Sequence, residues 1–345
     1  MQPLVSICLP NLNTHPYLEA RMESIFSQTL TEWELIICDG HSDDGAWEYF
    51  QQFKNDSRIT LYQMPRGEFQ AWNDCVLRAR GEYVYIATSD DTFYPTCLEK
   101  MSGALARMPE IDLAICRYDR IDRTGKIITA PDTDLQRLYG DWLQKPHRRS
   151  GVAEYLVGMC LGCNWETITA SLCRRRLFNK AGYFSTDYGS LADVPWRLAA
   201  CLHTDLIYLP EALATWRVYP EQLTAHLPVD WRRMQRDYAA EIIDRHLESI
   251  PVEWRNDPDW RKKLMRHVEG LYQQSFKLDR MNLRRAPGAF LRGAWRALCH
   301  EPGYLARRLL TGLSWEAGED DDLAHFQRLV DEWHVPWPPV EISDR

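Results

Sequence analysis

Two adjacent carboxylates, Asp90 and Asp91, follow directly after the apolar run EYVYIA. Carboxylate oxygens are ligands that Mg²⁺ and Mn²⁺ prefer, and such an ion is often shared between one or two carboxylates and the phosphates of a substrate. A cation held there would neutralise charge that develops on a leaving oxygen. The simpler alternative is that the two aspartates cap or position a helix predicted to begin near Pro95, because Asp is favoured at helix entries.

A second acidic loop, CDGHSDDG, follows the apolar run ELIIC, and Asp39 stands where that strand is predicted to end. Its carboxylate would hydrogen-bond a base or a ribose there. In the alternative interpretation, the Gly, Ser and Asp residues only build a turn. Neither a G-x-G-x-x-G nor a Walker pattern occurs in the chain. A nucleotide held without such a loop needs a cation for its phosphates, which favours the cation interpretation of Asp90.

The first 120 residues alternate between short apolar runs and helical spacings of apolar residues. The runs are LVSICLP, ELIIC, RITLY, EYVYIA and IDLAIC, and one helical spacing is that of Leu18, Met22 and Ile25. This alternation predicts an α/β fold in which helices cover both faces of a mostly parallel sheet. Ligands of such sheets bind at the carboxyl ends of the strands. The polar loops PNLNTHP, DGHSDDG and TSDDTF are predicted to lie at those ends.

The composition narrows the class of protein. The chain has 345 residues, 45% of them hydrophobic, and a formal net charge of −8. The length suits a catalytic core with an extension, and the negative charge argues against nucleic acid as a partner. No apolar run approaches a membrane span, and the N-terminus lacks the features of a signal peptide. The ten scattered cysteines are typical of buried thiols in a reducing compartment, so we expect a cytoplasmic protein.

Two long stretches of the sequence carry a family resemblance. VSICLPNLNTHPYLEARMESIFSQTLTEWELIICDGHSDDGAWEYF and RGEFQAWNDCVLRARGEYVYIATSDD resemble the family 2 glycosyltransferases, and the similarity extends over residues 4–225. The resemblance implies the GT-A fold, a Rossmann-like mixed sheet that binds nucleotide-diphospho-sugars. It implies a glycosyltransferase domain over residues 1–230, with the nucleotide-binding half at about 1–120 and the acceptor half at about 121–230. Members of this family usually transfer a sugar to an acceptor hydroxyl with inversion.

The resemblance also assigns roles to residues on the donor side. Asp90 falls in the D-x-D region of the family and would hold the cation, with Asp91 supporting the loop. Thr88 occupies the first acidic position of that motif, which is a departure from the family pattern. The residues implied to bind the nucleotide are Pro10, Asn11, Asn13, Asp39, Arg66, Asn73, Ser89 and Arg217.

The catalytic base is implied by the stretch AGYFSTDYGSLADVPWRLA. The base has to take a proton from the acceptor hydroxyl as that oxygen attacks. Asp193 stands at the family's position for it, although the usual preceding Glu is Ala192 here. The alternative is that Asp193 is the N-cap of a helix whose first turn contains Pro195. Asp187 is a nearby competitor for the role of base, although its sequence context is typical of a turn residue.

A closing segment is implied by TWRVYPEQLT. Arg217 matches a family position that pairs with phosphate oxygens. Tyr219 stands where a metal-binding His is common, so either the diphosphate holds the cation with less help or His226 contributes as a ligand.

Beyond residue 230 the sequence predicts a C-terminal helical extension, residues 231–345. Its segment 281–315 interleaves arginines with large apolar residues. The apolar set is Phe290, Leu291, Trp295, Leu298, Tyr304, Leu305, Leu309, Leu310 and Trp315. Basic amphipathic helices with Trp and Leu lie in membrane interfaces, which would place the protein peripherally at the inner face of the cell membrane. The simpler alternative is an appendage that packs on the catalytic domain or, in a homo-oligomer, on a second copy of the chain.

The favoured hypothesis is an inverting glycosyltransferase, assisted by Mn²⁺ or Mg²⁺, that uses a UDP-linked donor. Its acceptor would be a saccharide or a lipid-linked saccharide in bacterial polysaccharide or glycolipid assembly. A nucleotidyltransferase is disfavoured, because LPNLNTHPY contains no Gly, Lys or Arg. The non-enzymatic alternative is a degenerate transferase that acts as a nucleotide-sugar-binding or scaffold subunit, since Thr88, Ala192 and Tyr219 all depart from the expected residues.

Overall fold

The structure is a computed structural model, and it describes residues 2–129, 133–165, 167–222, 227, 230–278, 280–310 and 322–342. Nine β-strands occur within these residues. In chain order, β1 to β9 are Val5–Asn11, Trp33–Asp39, Ile59–Gln63, Tyr83–Ile86, Leu113–Ile121, His147–Arg149, Ser171–Arg174, Leu206–Arg217 and Val340–Glu341.

The same residues contain fifteen α-helices. In chain order, α1 to α15 are His15–Phe26, Ala46–Gln51, Glu68–Arg78, Cys97–Arg107, Asp134–Tyr139, Gly151–Leu161, Leu177–Ala181, Asp193–Cys201, Trp231–Arg245, Val252–Arg255, Trp260–Gln274, Arg280–Arg285, Pro287–His300, Pro302–Leu310 and Asp322–Glu332.

The nine strands form one mixed sheet in the order β3-β2-β1-β4-β7-β5-β8-β6-β9. Strands β3, β2, β1 and β4 are parallel to one another, as the alternation of strands and helices predicts. Strand β7 runs antiparallel to both β4 and β5, and β6 runs antiparallel to β8 and β9. The five apolar runs noted in the sequence correspond to β1 to β5.

The centre of the sheet is buried on both faces. Every residue of β1 and β2 is buried, which explains why these strands read as continuous apolar runs and not as alternating patterns. Helices α1 and α4 contribute Leu18, Met22 and Leu98 to the core that covers them. Because β1 and β2 are parallel and Asn11 pairs in register with Asp39, the loops that follow both strands lie at one edge of the sheet.

The described residues divide into two compact units. The first contains residues 1–155, 163–228 and 335–345, and it includes the whole sheet. The second contains residues 156–162 and 229–334. The predicted division near residue 230 remains a proposal. Residues 340–341, which that division grouped with the extension, form β9 and pair with β6.

The second unit is helical and has its own apolar cluster. Tyr272, Phe276, Phe290 and Tyr304 are the aromatic members of that cluster, so one face of α13 is buried within the unit. None of the helices among the described residues is long and apolar enough to span a bilayer. Trp315 lies outside the described residues.

A buried histidine in the first unit is held in its neutral form. The His147 ring contacts the Lys145 carbonyl through Nδ1 at 2.8 Å, and Nε2 accepts a hydrogen bond from Arg149 Nε at 2.9 Å. Protonation of Nε2 would replace that acceptor by a second positive charge. Burial and the charge of Arg149 therefore lower the pKa of His147 to about 4.

We expect His147 to make the stability of the fold fall on acidification. The pKa of His147 is 6.5 in the unfolded chain and about 4 in the folded chain, so the unfolded chain takes up the proton first as the pH falls. This stability is therefore present above pH 6.5 and is lost as the pH falls towards 4. Between pH 7.5 and pH 5 the loss amounts to about 2 kcal/mol.

Urea unfolding of the wild type and of a His147→Gln variant at both pH values tests this. The free energy of unfolding differs between pH 7.5 and pH 5, and this difference should be smaller by about 2 kcal/mol in the variant than in the wild type. The comparison holds whatever the stability of the variant at pH 7.5. An unchanged difference would contradict the assignment.

Candidate active site

A cavity of about 450 Å³, here called the strand-end cavity, lies at the carboxyl ends of β1, β2 and β4. The loops after these three strands supply much of its wall, and residues 167–168, 190–193 and 216–222 contribute further parts. Eight of the residues assigned roles from the sequence line it: Pro10, Asn11, Asn13, Ser89, Asp90, Asp91, Asp193 and Tyr219. The structure thus brings together residues as remote in the chain as Pro10 and Tyr219.

Asp39 lies beneath this cavity and does not line it. Its carboxylate is fully buried and accepts hydrogen bonds from Asn11 Nδ2 at 2.8 Å, Ser42 Oγ at 2.6 Å and Gln63 Nε2 at 2.9 Å. The Ser42 backbone N–H donates a further bond of 3.0 Å. Burial by itself raises the pKa of Asp39, but these hydrogen bonds outweigh it and hold the pKa below its usual value.

Asn13 joins the loops after β1 and β2. Its amide bonds reciprocally with Asp43, with Nδ2 donating to Asp43 Oδ1 at 2.9 Å and Oδ1 accepting from the Asp43 N–H at 3.0 Å. The φ angle of Asn13 is +52°, a left-handed conformation that Asn tolerates better than most residues. The Asn13 N–H donates to Ser42 Oγ at 3.0 Å. The loop geometry thus places both Asn11 and Asn13 on the cavity wall.

The two aspartates after β4 have different surroundings. Asp91 is buried and accepts hydrogen bonds from the Thr88 hydroxyl and, at 2.7 Å, from the Arg217 backbone N–H. Burial, followed by the charge of Asp90, raises the pKa of Asp91 to about 7. The capping alternative is wrong, since α4 begins at Cys97 and its N-cap residue is Thr96.

Asp90 is half-buried and faces the end of β8. Its Oδ2 accepts a hydrogen bond of 3.0 Å from the Tyr219 hydroxyl. Burial and the charge of Asp90 raise the pKa of Tyr219, so the phenol stays neutral. Tyr219 therefore contributes a hydrogen bond at the position where the family resemblance implied a metal-binding histidine.

Arg217 is buried and does not line the cavity. Its guanidinium donates to the backbone carbonyls of Asp90 at 2.6 Å, Asp122 at 2.8 Å and Arg123 at 3.0 Å. It thereby joins the end of β8 to the loop that contains Asp90. Phosphate pairing by Arg217 stays a prediction.

Arg21 is a residue of this site to which the sequence interpretation assigned no role. It is fully buried in α1, its Nε donates to the Thr88 carbonyl at 2.8 Å, and its guanidinium lies 5.2 Å from the Phe93 ring centroid. Its Nη1 and Nη2 atoms have no hydrogen-bond partner among the described residues, and its charge lowers the pKa of Asp91. The signal was present in the sequence, because Arg21 falls on the apolar face of α1, between Leu18 and Ile25 at helical spacing.

Asp193 is the first residue of α8 and lines the strand-end cavity. The N-cap residue is Ala192, with no side-chain cap hydrogen bond, so the proposed capping role of Asp193 is wrong. Arg197, one helical turn later, places Nη2 at 3.4 Å from Asp193 Oδ2. This ion pair orients the carboxylate without burying it completely.

Two further predicted nucleotide-binding residues lie outside the lining of the cavity. Arg66 pairs with Asp43 at 3.0 Å on the surface. Asn73 bonds reciprocally with the backbone of Phe184, at 2.8 Å and 3.0 Å, and so ties α3 to the loop before α8. Their contact with a nucleotide stays a prediction.

The donor groups in the cavity fit a cation that a bound diphosphate helps to hold. Among the described residues, His, Cys, Asp and Glu side chains form no cluster of three or more that could hold a metal ion. Asp90 presents one carboxylate to the cavity. The Asp91 carboxylate already accepts hydrogen bonds from the Thr88 hydroxyl and the Arg217 N–H. One carboxylate together with phosphate oxygens is a common Mg²⁺ arrangement. His226 lies outside the described residues.

A mixed sheet with a polar, acidic cavity at its strand ends is typical of α/β proteins that bind ligands at the carboxyl ends of the strands. The model of the family Glycosyl transferase family 2 matches residues 6–165. A relative from Bacillus subtilis (strain 168), the uncharacterized glycosyltransferase EpsJ, is 26% identical over 248 residues, which cover 70% of each chain. These matches confirm the predicted resemblance to the family 2 glycosyltransferases over residues 6–165.

Solved structures confirm the predicted GT-A fold. The structure of S. aureus TarS 1–349 in complex with UDP-GlcNAc has a TM-score of 0.55 at 15% identity, with 99% of each chain covered. Mannosyltransferase PcManGT from Pyrobaculum calidifontis, in complex with GDP-Man and Mn²⁺, has a TM-score of 0.50 at 18% identity. There the coverage is 97% of this chain and 86% of the other. At these identities the likeness concerns the fold alone.

We expect Asp39→Asn to destabilise the protein by about 2 kcal/mol, because the new amide N–H would face N–H donors of Gln63 and Ser42. Urea unfolding at pH 7 measures this. The matched control Asp134→Asn changes an exposed aspartate and should stay within about 0.5 kcal/mol of the wild type. Equal effects of the two substitutions would show that the buried network contributes little.

Proposed function

We propose that the protein transfers a sugar from a UDP-linked donor to an acceptor hydroxyl, with inversion and with the assistance of Mn²⁺ or Mg²⁺. The observation that carries the proposal is that Asp90 and Asp193 line one cavity together with Asn11 and Asn13. A cation ligand, a base and a polar nucleotide wall are the parts that this reaction requires. Assembly of a bacterial polysaccharide or glycolipid is the setting we propose for it.

The loops after β1 and β2 form the nucleoside end of the proposed site. Pro10, Asn11 and Asn13 would contact the nucleotide, and the buried Asp39 holds Asn11 in place through the 2.8 Å hydrogen bond. A site fixed in this way loses little conformational entropy when the donor binds. The complex of TarS with UDP-GlcNAc supports a nucleotide sugar as the donor.

Asp90 would hold the cation together with the diphosphate, and Ser89 stands next to it on the wall. When bound, the cation supplies positive charge that stabilises the departing diphosphate. Tyr219 orients Asp90 through its hydroxyl, while Asp91 and Arg217 fix the backbone of the loop. These residues keep the single available carboxylate in position.

Asp193 would act as the base. The acceptor oxygen forms a bond to the anomeric carbon as its proton passes to the Asp193 carboxylate. The bond between that carbon and the phosphate oxygen breaks, and its electron pair leaves with the nucleoside diphosphate. Attack from the face opposite the leaving group inverts the configuration of the anomeric carbon.

The competing proposal is a nucleotide-sugar-binding subunit without activity. It is supported by Thr88 and Ala192, which replace expected acidic residues. In the structure the Thr88 hydroxyl donates to Asp91, so Thr88 supports the acidic loop. Retention of Asp90 and Asp193 in one cavity favours the enzyme.

Incubation of the full chain with a panel of nucleotide sugars, with Mn²⁺ or with EDTA, tests the proposal. We expect one donor to release its nucleoside diphosphate, and we expect EDTA and Asp90→Asn each to abolish the release. Asp193→Asn should lower turnover at least ~100-fold, the typical contribution of a positioned base, with donor affinity by calorimetry unchanged.

Asp187→Asn is the matched control, since Asp187 lies in the same loop region but does not line the cavity. It should retain full turnover. Donor binding without release in the wild type, even with saccharide acceptors added, would favour the binding subunit. Binding of no donor at all would overturn both proposals.

We also propose that the helices α12 to α14 contact an anionic membrane surface. Leu291, Trp295 and Leu298 lie on one side of α13 with exposures of 67%, 67% and 52%. Arg292 and Arg296 are exposed beside them. This combination of exposed Trp, Leu and Arg on one helix is typical of interfacial binding.

Co-sedimentation with vesicles of zwitterionic lipid, with and without anionic lipid, tests this contact. We expect binding to the anionic vesicles, and a loss of about tenfold in the double variant Trp295→Ser, Leu298→Ser. The control Leu77→Ser changes an equally exposed leucine of α3 and should bind normally. Binding that is insensitive to the double variant would refute the contact.

A further inference from the structure

Trp216 lines the strand-end cavity but has no part in the proposed donor binding or proton transfer. It is the penultimate residue of β8, and its side chain is half-buried. Small-ligand sites typically combine aromatic side chains, which supply contact area, with a few polar groups that fix the orientation of the ligand. Trp216 is therefore a candidate for contact with a part of the substrate other than the nucleotide.

Two side chains of the neighbouring strand β5 hold the indole of Trp216 in place. The Arg120 guanidinium lies 5.2 Å from the Trp216 ring centroid, and the Tyr118 ring lies 6.1 Å from it in an edge arrangement. Because neither of these residues lines the strand-end cavity, they support the indole from outside it. A ring that is fixed before the ligand binds loses little conformational entropy on binding.

The hydroxyl of Ser190 is a second group of the cavity that the proposed donor site does not use. Ser190 lines the cavity from the 3-10 helix Gly189–Leu191, which directly precedes α8 and Asp193. Its Oγ is buried and has no hydrogen-bond partner among the described residues. Since buried hydroxyls are normally paired, a ligand hydroxyl at this point supplies the missing partner, as donor or as acceptor.

The order of the strands separates Trp216 from the nucleotide wall. Strands β2, β1 and β4 are neighbours in the sheet, and together with the loops after them they supply Gly40, Asn11 and Asp90 to the cavity. Strand β8, which carries Trp216, lies three strands beyond β4. In an inverting transfer the acceptor attacks the anomeric carbon from the side opposite the diphosphate. With the nucleoside at β1 and β2 and the diphosphate at β4, the end of the cavity at Trp216 is left for the acceptor.

We propose that Trp216 and Ser190 form the acceptor subsite and that this subsite binds a pyranose ring. A C–H face of the pyranose lies on the indole, because the face of an aromatic ring carries partial negative charge. The Ser190 hydroxyl pairs with one sugar hydroxyl, and the hydroxyl that reacts points to Asp193. This inference rests on the proposed function, because an acceptor subsite requires the neighbouring donor site. Trp216 and Ser190 determine which acceptor binds and do not touch the reacting atoms.

Saturation-transfer NMR on the full chain, without any donor, tests this binding. The probes are methyl β-glucoside, methyl β-galactoside, methyl α-mannoside and the open-chain polyol sorbitol. We expect at least one of the three pyranosides to bind about tenfold more tightly than sorbitol, with the strongest saturation on its ring C–H protons. Sorbitol offers hydroxyl groups like those of a sugar but no rigid C–H face for the indole.

Trp216→Ala should weaken the binding of that pyranoside about tenfold, since contact with an aromatic ring contributes about that factor. Trp216→Phe should retain part of the affinity. The matched control is Trp142→Ala, because Trp142 is also half-buried and also contacts a ring, that of His147 at 5.6 Å, but does not line the strand-end cavity. The control should bind the pyranoside like the wild type.

Ser190→Ala should weaken the same binding about fivefold, which corresponds to the loss of one hydrogen bond. Its midpoint of urea unfolding should equal that of the wild type, because the Ser190 hydroxyl has no partner within the described part of the chain. A lower midpoint together with unchanged binding would show that the hydroxyl is structural and would overturn its assignment to the subsite.

Calorimetry with the donor identified in the nucleotide-sugar panel should give equal affinities for Trp216→Ala and the wild type. Three results would overturn the inference: sorbitol that binds as tightly as every pyranoside, an unchanged pyranoside affinity in Trp216→Ala, or a loss of donor affinity in that variant, which would assign the indole to the donor sugar. The proposed function fails separately. Absence of donor binding and turnover in the wild type, with Trp216-dependent binding of a pyranoside intact, would refute the transferase and leave a saccharide-binding cavity.

Discussion

A buried carboxylate, Asp91, ties the loop after β4 to the end of β8, and the candidate site depends on this contact. Asp91 accepts hydrogen bonds from the Thr88 hydroxyl and from the Arg217 N–H, while the Arg217 guanidinium donates back to the Asp90 carbonyl. Burial of a carboxylate is unfavourable unless hydrogen bonds and an opposite charge compensate it. Arg21, which is buried in α1 and donates to the Thr88 carbonyl, supplies positive charge that lowers the pKa of Asp91, while burial and Asp90 raise it. As a result, hydrogen bonds to the end of β8 hold the loop that carries Asp90 in place at the cavity.

This arrangement explains how a chain that departs from the family pattern keeps an acidic site. Thr88 removes one carboxylate from the loop, but its hydroxyl supports Asp91. Fewer negative charges crowd the loop as a consequence, and burial of Asp91 becomes less costly. Tyr219 likewise supplies a hydrogen bond to Asp90 where a histidine was expected. Both departures therefore strengthen the positioning of Asp90 while they reduce the number of side chains that could ligate a cation. This is why we propose a cation shared with the diphosphate.

Local signals explain which predictions succeeded. Strands β1 to β5 and helix α8 were predicted because continuous apolar runs and turn residues determine them over short distances. Both capping hypotheses failed for a local reason. Helix α4 begins at Cys97, so its N-cap position is Thr96 and lies several residues after Asp91. Helix α8 begins at Asp193 itself, so its N-cap position is Ala192. Arg217 was expected to face phosphate, but the structure places its guanidinium on three carbonyls. No pattern in TWRVYP reveals which way that side chain points.

The sequence by itself determined the α/β class, the acidic and polar loops at the strand ends and, through the family resemblance, the choice of Asp90 and Asp193. These follow from residue type and spacing along the chain. Only the tertiary structure decided that Asp39 is buried beneath the cavity and that the charge of Arg21 acts on the buried Asp91. The reason is physical. Each of these features depends on the distance between groups that are remote in sequence, and such distances are set by how the sheet and helices pack.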